Sequence, residues 1–486
     1  MSHPISNANV AQHWINGEWL TSDDCRDSID PATGNVIGRY ANGGAREAAL
    51  AIAAAKHAFE HGEWAENAIL RARVLEELAT SFERHRTDLI DLLALENGKI
   101  KQEAAFEVDM VPSKLRFAAA MARTEMGRSG TPRPNAVSLL LREPVGVAGI
   151  IAPWNSPVIL MIRSLAPALA AGTTTVIKMP GQTAQINEHV ARVMSEAPSL
   201  PRGVINLFTE WGADGAKSMV ASPDVPVISF TGSTRTGQAI SAVGAENLKR
   251  FGLELGGKTP HLVFDDADLD TALPVIEKSL TVFAGQFCMT GSRLLVHRDI
   301  AGQVRERLAA RLAAVRVGPA ADAGSDMGPL IDKANVARVD ALVKQAIASG
   351  AKVLVRGGPI CDGPLASGAF YRPTLLEVSD PLLPIVRNET FGPVMTLQTF
   401  DSEAQAISLA NDSEFGLAAA IWTRDTKRAL RAARKIKAGT VWINDWAQIF
   451  DAFEEGGFKQ SGQGRLNGLS SIDDFLEFKH VTFTDL

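Results

Sequence analysis

Along this chain the spacing of apolar positions changes character twice. After a polar arm and a hairpin signal at Asp30-Pro31-Ala32-Thr33-Gly34, apolar residues recur at helical spacing over roughly 44–60, 67–97 and 101–124, which predicts a helical layer. Residues 125–143 open at Glu125, are broken by Gly127, Gly130, Pro132 and Pro134, and read as an excursion ending in a strand at Leu139-Leu140-Leu141-Arg142. From Val145, short apolar runs near 145–151, 174–178, 204–208, 226–230 and 249–254 alternate with helical patterns near 157–171, 184–199, 213–221 and 233–243. Strands that are apolar on both faces and separated by helices predict a parallel, doubly wound sheet.

A second α/β series starts near Leu262-Val263-Phe264, with strands near 292–297, 392–398, 418–423 and 438–443 and helices near 299–315, 332–348 and 402–411. The chain closes on a further strand around Phe478-Lys479-His480-Val481-Thr482-Phe483. Ligands of doubly wound sheets bind beyond the carboxyl ends of the strands, which is where Pro153-Trp154-Asn155 and Gly232-Ser233 fall. The expected fold is therefore α/β: a Rossmann-like, doubly wound unit, a second α/β unit and a small β element.

Composition narrows the function. A chain of 486 residues, 46% hydrophobic and 21% charged, buries substantial cores in two or three domains. With 49 Lys plus Arg against 55 Asp plus Glu and no long block of either sign, nucleic acid is not an expected partner. Apolar stretches are interrupted before membrane-spanning length, and Met1-Ser2-His3-Pro4 has no basic region leading into an apolar one, so a cytoplasmic location is the default. Three cysteines, Cys25, Cys288 and Cys361, with no Cys-x-x-Cys pair and no His cluster, argue against disulfides and against a metal site.

Cys288, in Gly285-Gln286-Phe287-Cys288-Met289-Thr290-Gly291, is a lone thiol in a polar, glycine-flanked turn, a setting for nucleophilic chemistry. Glu254, in Leu253-Glu254-Leu255-Gly256-Gly257-Lys258, ends a strand on paired glycines that would leave its side chain near an open cleft, where it could serve as a base. The bland alternatives are an inert buried thiol and a carboxylate paired with Lys258. Gly252 to Thr259 also satisfies the phosphate-loop pattern, but Pro260 and the strand-like His261-Leu262-Val263-Phe264 follow where that loop needs a helix. Phe230-Thr231-Gly232-Ser233-Thr234 offers another anion contact, a strand, a glycine and a hydroxyl at a helix start.

Pro153-Trp154-Asn155, Lys178, Phe230-Thr231-Gly232-Ser233, Leu253-Glu254-Leu255-Gly256-Gly257-Lys258, Gly285-Gln286-Phe287-Cys288, Glu389-Thr390-Phe391-Gly392-Pro393 and Gly456-Gly457-Phe458-Lys459-Gln460-Ser461-Gly462, in this order, resemble the motif series of the aldehyde dehydrogenase superfamily. The resemblance spans nearly the whole chain. It implies an NAD- or NADP-dependent oxidation of an aldehyde to a carboxylic acid, with Cys288 as nucleophile, Asn155 and the Cys288 backbone N–H holding the oxyanion, and Glu254 activating the water that hydrolyses a thioester. Dinucleotide contacts are implied at Ala152, Pro153, Trp154, Lys178, Gly181, Gly215, Phe230, Gly232, Ser233, Leu255, Glu389 and Phe391. It further implies a cofactor-binding domain from 1–124 and 145–255, a catalytic domain from 256–470, an oligomerisation element from 125–144 and 471–486, and a homodimer or homotetramer.

Several positions depart from the family pattern. Gly181 stands where NAD-preferring members commonly carry a Glu that binds the ribose hydroxyls, which opens the question of NADP. Ser156 stands where many relatives have Phe, and its run is similar to that of aromatic-aldehyde members. Arg163 matches an arginine that binds substrate carboxylate in succinic semialdehyde dehydrogenases, although Val282 and Ile449 occupy the other clamp positions, and a helix-surface or interdomain ion pair is the commoner use of such an arginine. Ser156, Arg163, Phe287 and Ile449 are the implied substrate contacts. Glu454-Glu455 replace a common Pro-Phe and either place negative charge at the substrate mouth or solvate a loop, the second being the simpler reading. Leu466-Asn467 replace a common Glu-Leu, so an acid proposed to relay protons in some relatives is missing. A coenzyme A-acylating relative, a phosphate-loop nucleotide triphosphatase and a non-catalytic binding role are the competing readings.

Overall fold

The computed structural model describes residues 10–124 and 127–484; Met1-Ser2-His3-Pro4, Glu125 and the last two residues of the predicted C-terminal element lie outside them. Apolar runs from the middle of the chain assemble into an eight-stranded sheet in the order Gly462–Gln463, Arg250–Glu254, Val227–Thr231, Val147–Ile151, Thr174–Pro180, Ile205–Glu210, His13–Ile15, Glu18–Leu20. Its five central strands are parallel, and all residues of Val147–Ile151, Thr174–Pro180 and Ile205–Glu210 are buried, as the continuous apolar runs require. Strand order reverses beside Val147–Ile151, which pairs with Thr174–Pro180 on one side and Val227–Thr231 on the other. The crevice at this switch point lies beyond Ile151 and Thr231.

The second sheet runs Lys352–Val355, Thr374–Glu377, Val394–Phe400, Arg293–His297, Pro260–Val263, Ala418–Trp422, Thr440–Ile443 and is parallel except at its first pair. The two edge strands Lys352–Val355 and Thr374–Glu377 are additions to the sequence reading. So are the helices Leu269–Thr281 and Thr426–Lys435, the latter so rich in Lys and Arg that only Ala429 and Ala432 are buried. Because Pro260–Val263 is a strand, no helix follows Thr259, and the phosphate-loop reading of Gly252 to Thr259 fails.

The helical layer comprises Ala45–His61, Ala68–Arg84, Arg86–Asn97 and Lys101–Thr124. The single helix predicted over 67–97 is broken at His85, where the polar run Arg84-His85-Arg86 interrupts the apolar face and the backbone leaves helical values. Lys101–Thr124 packs between Ala68–Arg84 and Pro157–Ala171, so the layer bears directly on the helix that follows the switch-point loop. Arg128–Arg133, Ala136–Pro144 and Leu476–Thr484 form a separate antiparallel sheet, with nine paired positions joining the last two strands. Phe478 and Phe483 are exposed on it. Among the described residues no helix is long and apolar enough to cross a membrane.

Candidate active site

The switch-point loop is held from three directions. Ala152 N–H donates to the Lys178 carbonyl at 3.1 Å, after which the chain leaves the sheet through Pro153-Trp154-Asn155. Asn97 of the helical layer donates its side-chain amide to the Trp154 carbonyl at 2.6 Å, and the Trp154 ring meets Phe391 edge-on with centroids 5.5 Å apart. Pro157 begins the next helix, whose free amides at Val158 and Ile159 donate to Glu107 at 2.9 and 3.3 Å. Asn155 does not cap this helix. Its Nδ2 crosses to the carbonyl of Gln286 at 3.0 Å, which leaves one N–H of the amide free.

Gln286 belongs to the loop that presents Cys288. Phe283, Ala284 and Gly285 have φ of 52°, 53° and 71°, a left-handed run that costs free energy at the two non-glycine positions. A Cβ on Gly285 would lie 2.4 Å from the backbone of Gly392, so glycine is required there. Glu103 accepts from the Phe283 N–H at 3.1 Å, Gln286 Oε1 accepts from Ile331 N–H at 2.9 Å, and Thr290 Oγ1 donates to the Phe287 carbonyl at 2.6 Å. Over-determined in this way, the loop places Cys288, partly exposed, in a cavity of about 520 Å³. Ser156, Arg163, Phe287, Ile449 and Glu455 line the same cavity, with Phe106, Met110, Phe283 and Trp446 among its apolar walls. Phe287 packs edge-on against Phe283 and Trp446, and Ser156 Oγ accepts from Lys99 Nζ at 2.9 Å.

Glu254 ends its strand buried at 4% exposure, not at an open cleft as its glycine-flanked sequence suggests, because the late loop covers it. A Cβ on Gly456 would come within 3.0 Å of Glu254 Oε1, an oxygen with no hydrogen-bond partner among the described residues. Lys258 donates to Thr390 Oγ1 at 3.2 Å and does not pair with Glu254. Arg163 is itself 5% exposed, with Nη1 3.1 Å from Glu455 Oε1 and Nη2 donating to Thr231 Oγ1 at 3.3 Å. Glu455 is therefore no solvated loop acid. It is buried, accepts from Asn467 Nδ2 at 2.8 Å, and through Asn467 reaches Lys114 Nζ at 2.6 Å, which pairs with Asp451. An ion pair for Arg163 is one of the readings its sequence allows; the sequence does not name the partner, although an arginine in the otherwise apolar stretch 157–171 needs a buried acid from another segment.

Burial dominates the ionisation of the site. It pushes the Cys288 thiol up to about 12 and the Glu254 carboxyl up to about 8, with Arg163 opposing and Glu455 reinforcing both shifts. Although burial disfavours the Arg163 charge, Glu455, Glu254 and Cys288 hold it above its ordinary value. Burial also raises Glu389 to about 7 and lowers Lys258 to about 7.

The residues expected to hold a dinucleotide border one face of this centre. Lys178 is buried near the end of Thr174–Pro180, pulled below its ordinary pKa by burial with Glu210 opposing. Glu210, absent from the sequence reading, caps Asp214–Ala221 by accepting from the Gly215 and Ala216 amides at 2.8 and 3.2 Å. Gly181 leaves no room for a side chain, since a Cβ there would meet Tyr40 Oη at 2.6 Å and Trp211 at 3.0 Å. Ser233 caps Thr234–Gly244 through the Thr236 amide at 3.3 Å, Gly232 lies against the Phe230 ring, and Leu255 N–H donates to the Ser461 carbonyl at 2.9 Å. Glu389 accepts from the Gly257 N–H at 3.2 Å. Helix N-termini, close-packed glycines and a desolvated ammonium at the sheet's switch point fit a dinucleotide. Folding also gathers His85, Asp88 and His189, with ligand atoms within 4.8 Å of one another, a cluster that the sequence separation hid.

A model of the aldehyde dehydrogenase family matches residues 19–481. The chain is 38% identical over 472 residues to betaine aldehyde dehydrogenase of Bacillus subtilis, covering 96% of each, and 36% identical to hydroxyisobutyraldehyde dehydrogenase of Mycolicibacterium austroafricanum, covering 96% of this chain and 92% of the relative. Its fold superimposes with a TM-score of 0.95 on betaine aldehyde dehydrogenase of Staphylococcus aureus in complex with NAD+, at 36% identity over 98% of this chain and 95% of that one.

The raised thiol value has a direct readout. With iodoacetamide at pH 7 the exposed Cys361 should be labelled before Cys288, and labelling of Cys288 should accelerate into the alkaline range as thiolate forms; Cys288 outpacing Cys361 at pH 7 would mean that its thiolate is already present.

Proposed function

The chain belongs to the aldehyde dehydrogenase family, and from that premise we propose that it oxidises an aldehyde to the carboxylic acid by way of a covalent adduct on Cys288. The observation that carries the assignment of residues is the hydrogen bond from Asn155 Nδ2 to the Gln286 carbonyl, which brings a half-free amide to the loop of the thiol. Cys288 gives up its thiol proton to solvent, its Sγ attacks the aldehyde carbon, the new C–S bond forms as the carbonyl pair moves onto oxygen, and the free Asn155 N–H with the Cys288 backbone N–H receives that charge. A bound dinucleotide supplies the acceptor for the hydride. Glu254, buried beneath the late loop with Oε1 unpartnered among the described residues, takes a proton from the water that attacks the thioester; the C–S bond breaks, the acid leaves and the thiolate returns. Glu254 and the wide presence of non-acylating relatives argue against coenzyme A as the acceptor.

We assign dinucleotide binding to 1–124 and 145–255 and catalysis to 256–470, with Lys178 and Glu389 facing ribose hydroxyls. Glu210 restores a carboxylate beside Lys178 that Gly181 does not provide, which favours NAD over the 2′-phosphate of NADP. The substrate reading follows from Arg163: its charge is already met by Glu455, so a substrate carboxylate would face an acid, while Ser156 and the aromatic walls suit a neutral aromatic aldehyde. The three free cysteines fit a reducing, cytoplasmic compartment. The sheet formed by Arg128–Arg133, Ala136–Pro144 and Leu476–Thr484, with its exposed Phe478 and Phe483, suits pairing between subunits in a homodimer or homotetramer.

Glu254→Gln should keep a first-turnover burst of reduced dinucleotide while slowing later turnovers by roughly 10²–10⁴-fold, whereas Cys288→Ala should abolish both; undiminished steady turnover in Glu254→Gln removes the base assignment. In a kcat/KM panel a neutral aromatic aldehyde should exceed a carboxylate-bearing semialdehyde, and NAD should exceed NADP, each by about tenfold or more, since one charge misplaced in a desolvated site is worth at least that. Sedimentation should give a dimer or tetramer for the full chain and a smaller species after deletion of 476–486; a monomeric full chain would end the oligomer reading.

A further inference from the structure

Arg163 and Glu455 form a buried ion pair on the wall of the cavity that holds Cys288, and each is joined to the surroundings of Glu254 through a neighbour. Arg163 Nη2 donates to Thr231, whose sheet partner is Glu254, and Gly456, the neighbour of Glu455, lies against Glu254 Oε1. The pair is fixed at both ends: Arg163 projects from Pro157–Ala171, whose N-terminus Glu107 caps, and Glu455 is held by Asn467, Lys114 and backbone bonds with Leu466. Resting on the assignment of Cys288 as nucleophile and Glu254 as base, we propose that Arg163 and Glu455 are opposed positioning residues that set the ionisation of both: the guanidinium favours thiolate and carboxylate, and Glu455 clamps it while limiting its effect.

The charges facing the two groups are few. Toward Cys288 they are Arg163, Glu455, Glu254 and Glu389; toward Glu254 they are Arg163, Glu455, Arg465 and Asp474. Arg163 is the cation common to both sets, and it draws down a thiol and a carboxyl that burial holds at about 12 and about 8 even in its presence. Glu455 takes Nη1 of the guanidinium and Thr231 takes Nη2, so the cation is held in place while its charge is partly offset. Backbone pairing of Glu455 with Leu466 fixes the segment that carries this carboxylate.

Hydrolysis of p-nitrophenyl acetate without dinucleotide tests this. The Cys288 thiolate displaces p-nitrophenolate to give an acetyl thioester in a burst, and water deprotonated by Glu254 releases acetate and the thiolate in the steady phase. In the wild type the steady rate should rise with pH through about 8. Arg163→Met should move that limb to higher pH and Glu455→Gln to lower pH, each by about one unit, and burst rates at pH 8 should fall about tenfold in the first and rise in the second, as one pKa unit dictates. Arg163→Lys should return the limb toward the wild-type position. Limbs that stay in place, or move in the same direction in both variants, overturn the proposal and leave the pair a packing element. Should Arg163→Met lose its cooperative thermal transition, the near-isosteric Glu455→Gln and the charge-keeping Arg163→Lys decide: an acid shift in the first with none in the second supports the pair's role, and any other result overturns it. Glu254→Gln retaining the wild-type limb would instead refute the underlying assignment of the base.

Discussion

A partly exposed thiol on a cavity wall and a buried carboxylic acid are both held toward their neutral forms by burial, with one guanidinium opposing this for both, and this constraint organises the centre. Taking a charge out of water costs several kcal/mol even after a protein relaxes around it, so a dry site favours neutral Cys288 and neutral Glu254. Dryness is nevertheless what makes hydrogen-bond donors effective against a developing oxyanion and what spares a thioester from stray water. Arg163 opposes that cost for both groups with one guanidinium. Its own burial is tolerable because Glu455 and Thr231 occupy its two terminal nitrogens.

The helical layer does the positioning. Glu107 and Asn97 reach out of it to the start of Pro157–Ala171 and to the Trp154 carbonyl, and Glu103 holds the Phe283 amide in a left-handed turn that an unsupported chain would abandon. Lys99 sits among these acids and ties Glu107 to Ser156. The nucleophile loop and the oxyanion amide come from different sheets, yet both are fastened to Lys101–Thr124 or its flanks, so one rigid element sets their separation. The Asn155–Gln286 hydrogen bond is the direct stitch between them.

The alternation of strands and helices was legible because both sheets are buried on both faces, and burial writes continuous apolar runs. Motif order located Cys288, Asn155 and Glu254 for a related reason: tight turns and close backbone approaches demand glycine, as at Gly285, and such demands leave a local trace in sequence. What stayed hidden was pairing at a distance. Nothing local distinguishes Glu455 from its exposed neighbour Glu454, and only the return of the late loop over Glu254 makes it a buried partner for Arg163. Glu210 escaped notice likewise, since its meaning comes from Lys178 on the adjacent strand and from the helix N-terminus that it caps. The basic helix Thr426–Lys435 was illegible because periodicity fades where few positions are buried.

The same pair bears on what the cavity accepts. A lone buried arginine would make it a carboxylate receptor, and a lone buried acid would make it a cation receptor. Bound to each other, Arg163 and Glu455 cancel as monopoles and persist as a fixed dipole on the wall beside Cys288. Such a dipole repels neither end of a neutral aldehyde, but it penalises either full charge, because binding that charge means breaking a desolvated pair whose second member is then left unpaired, a cost of about 3–5 kcal/mol. Selectivity for uncharged substrates therefore need not come from the shape of the apolar walls. It can arise from the pair's refusal to separate, so residues 163 and 455, far apart in the chain, act as one element of the site.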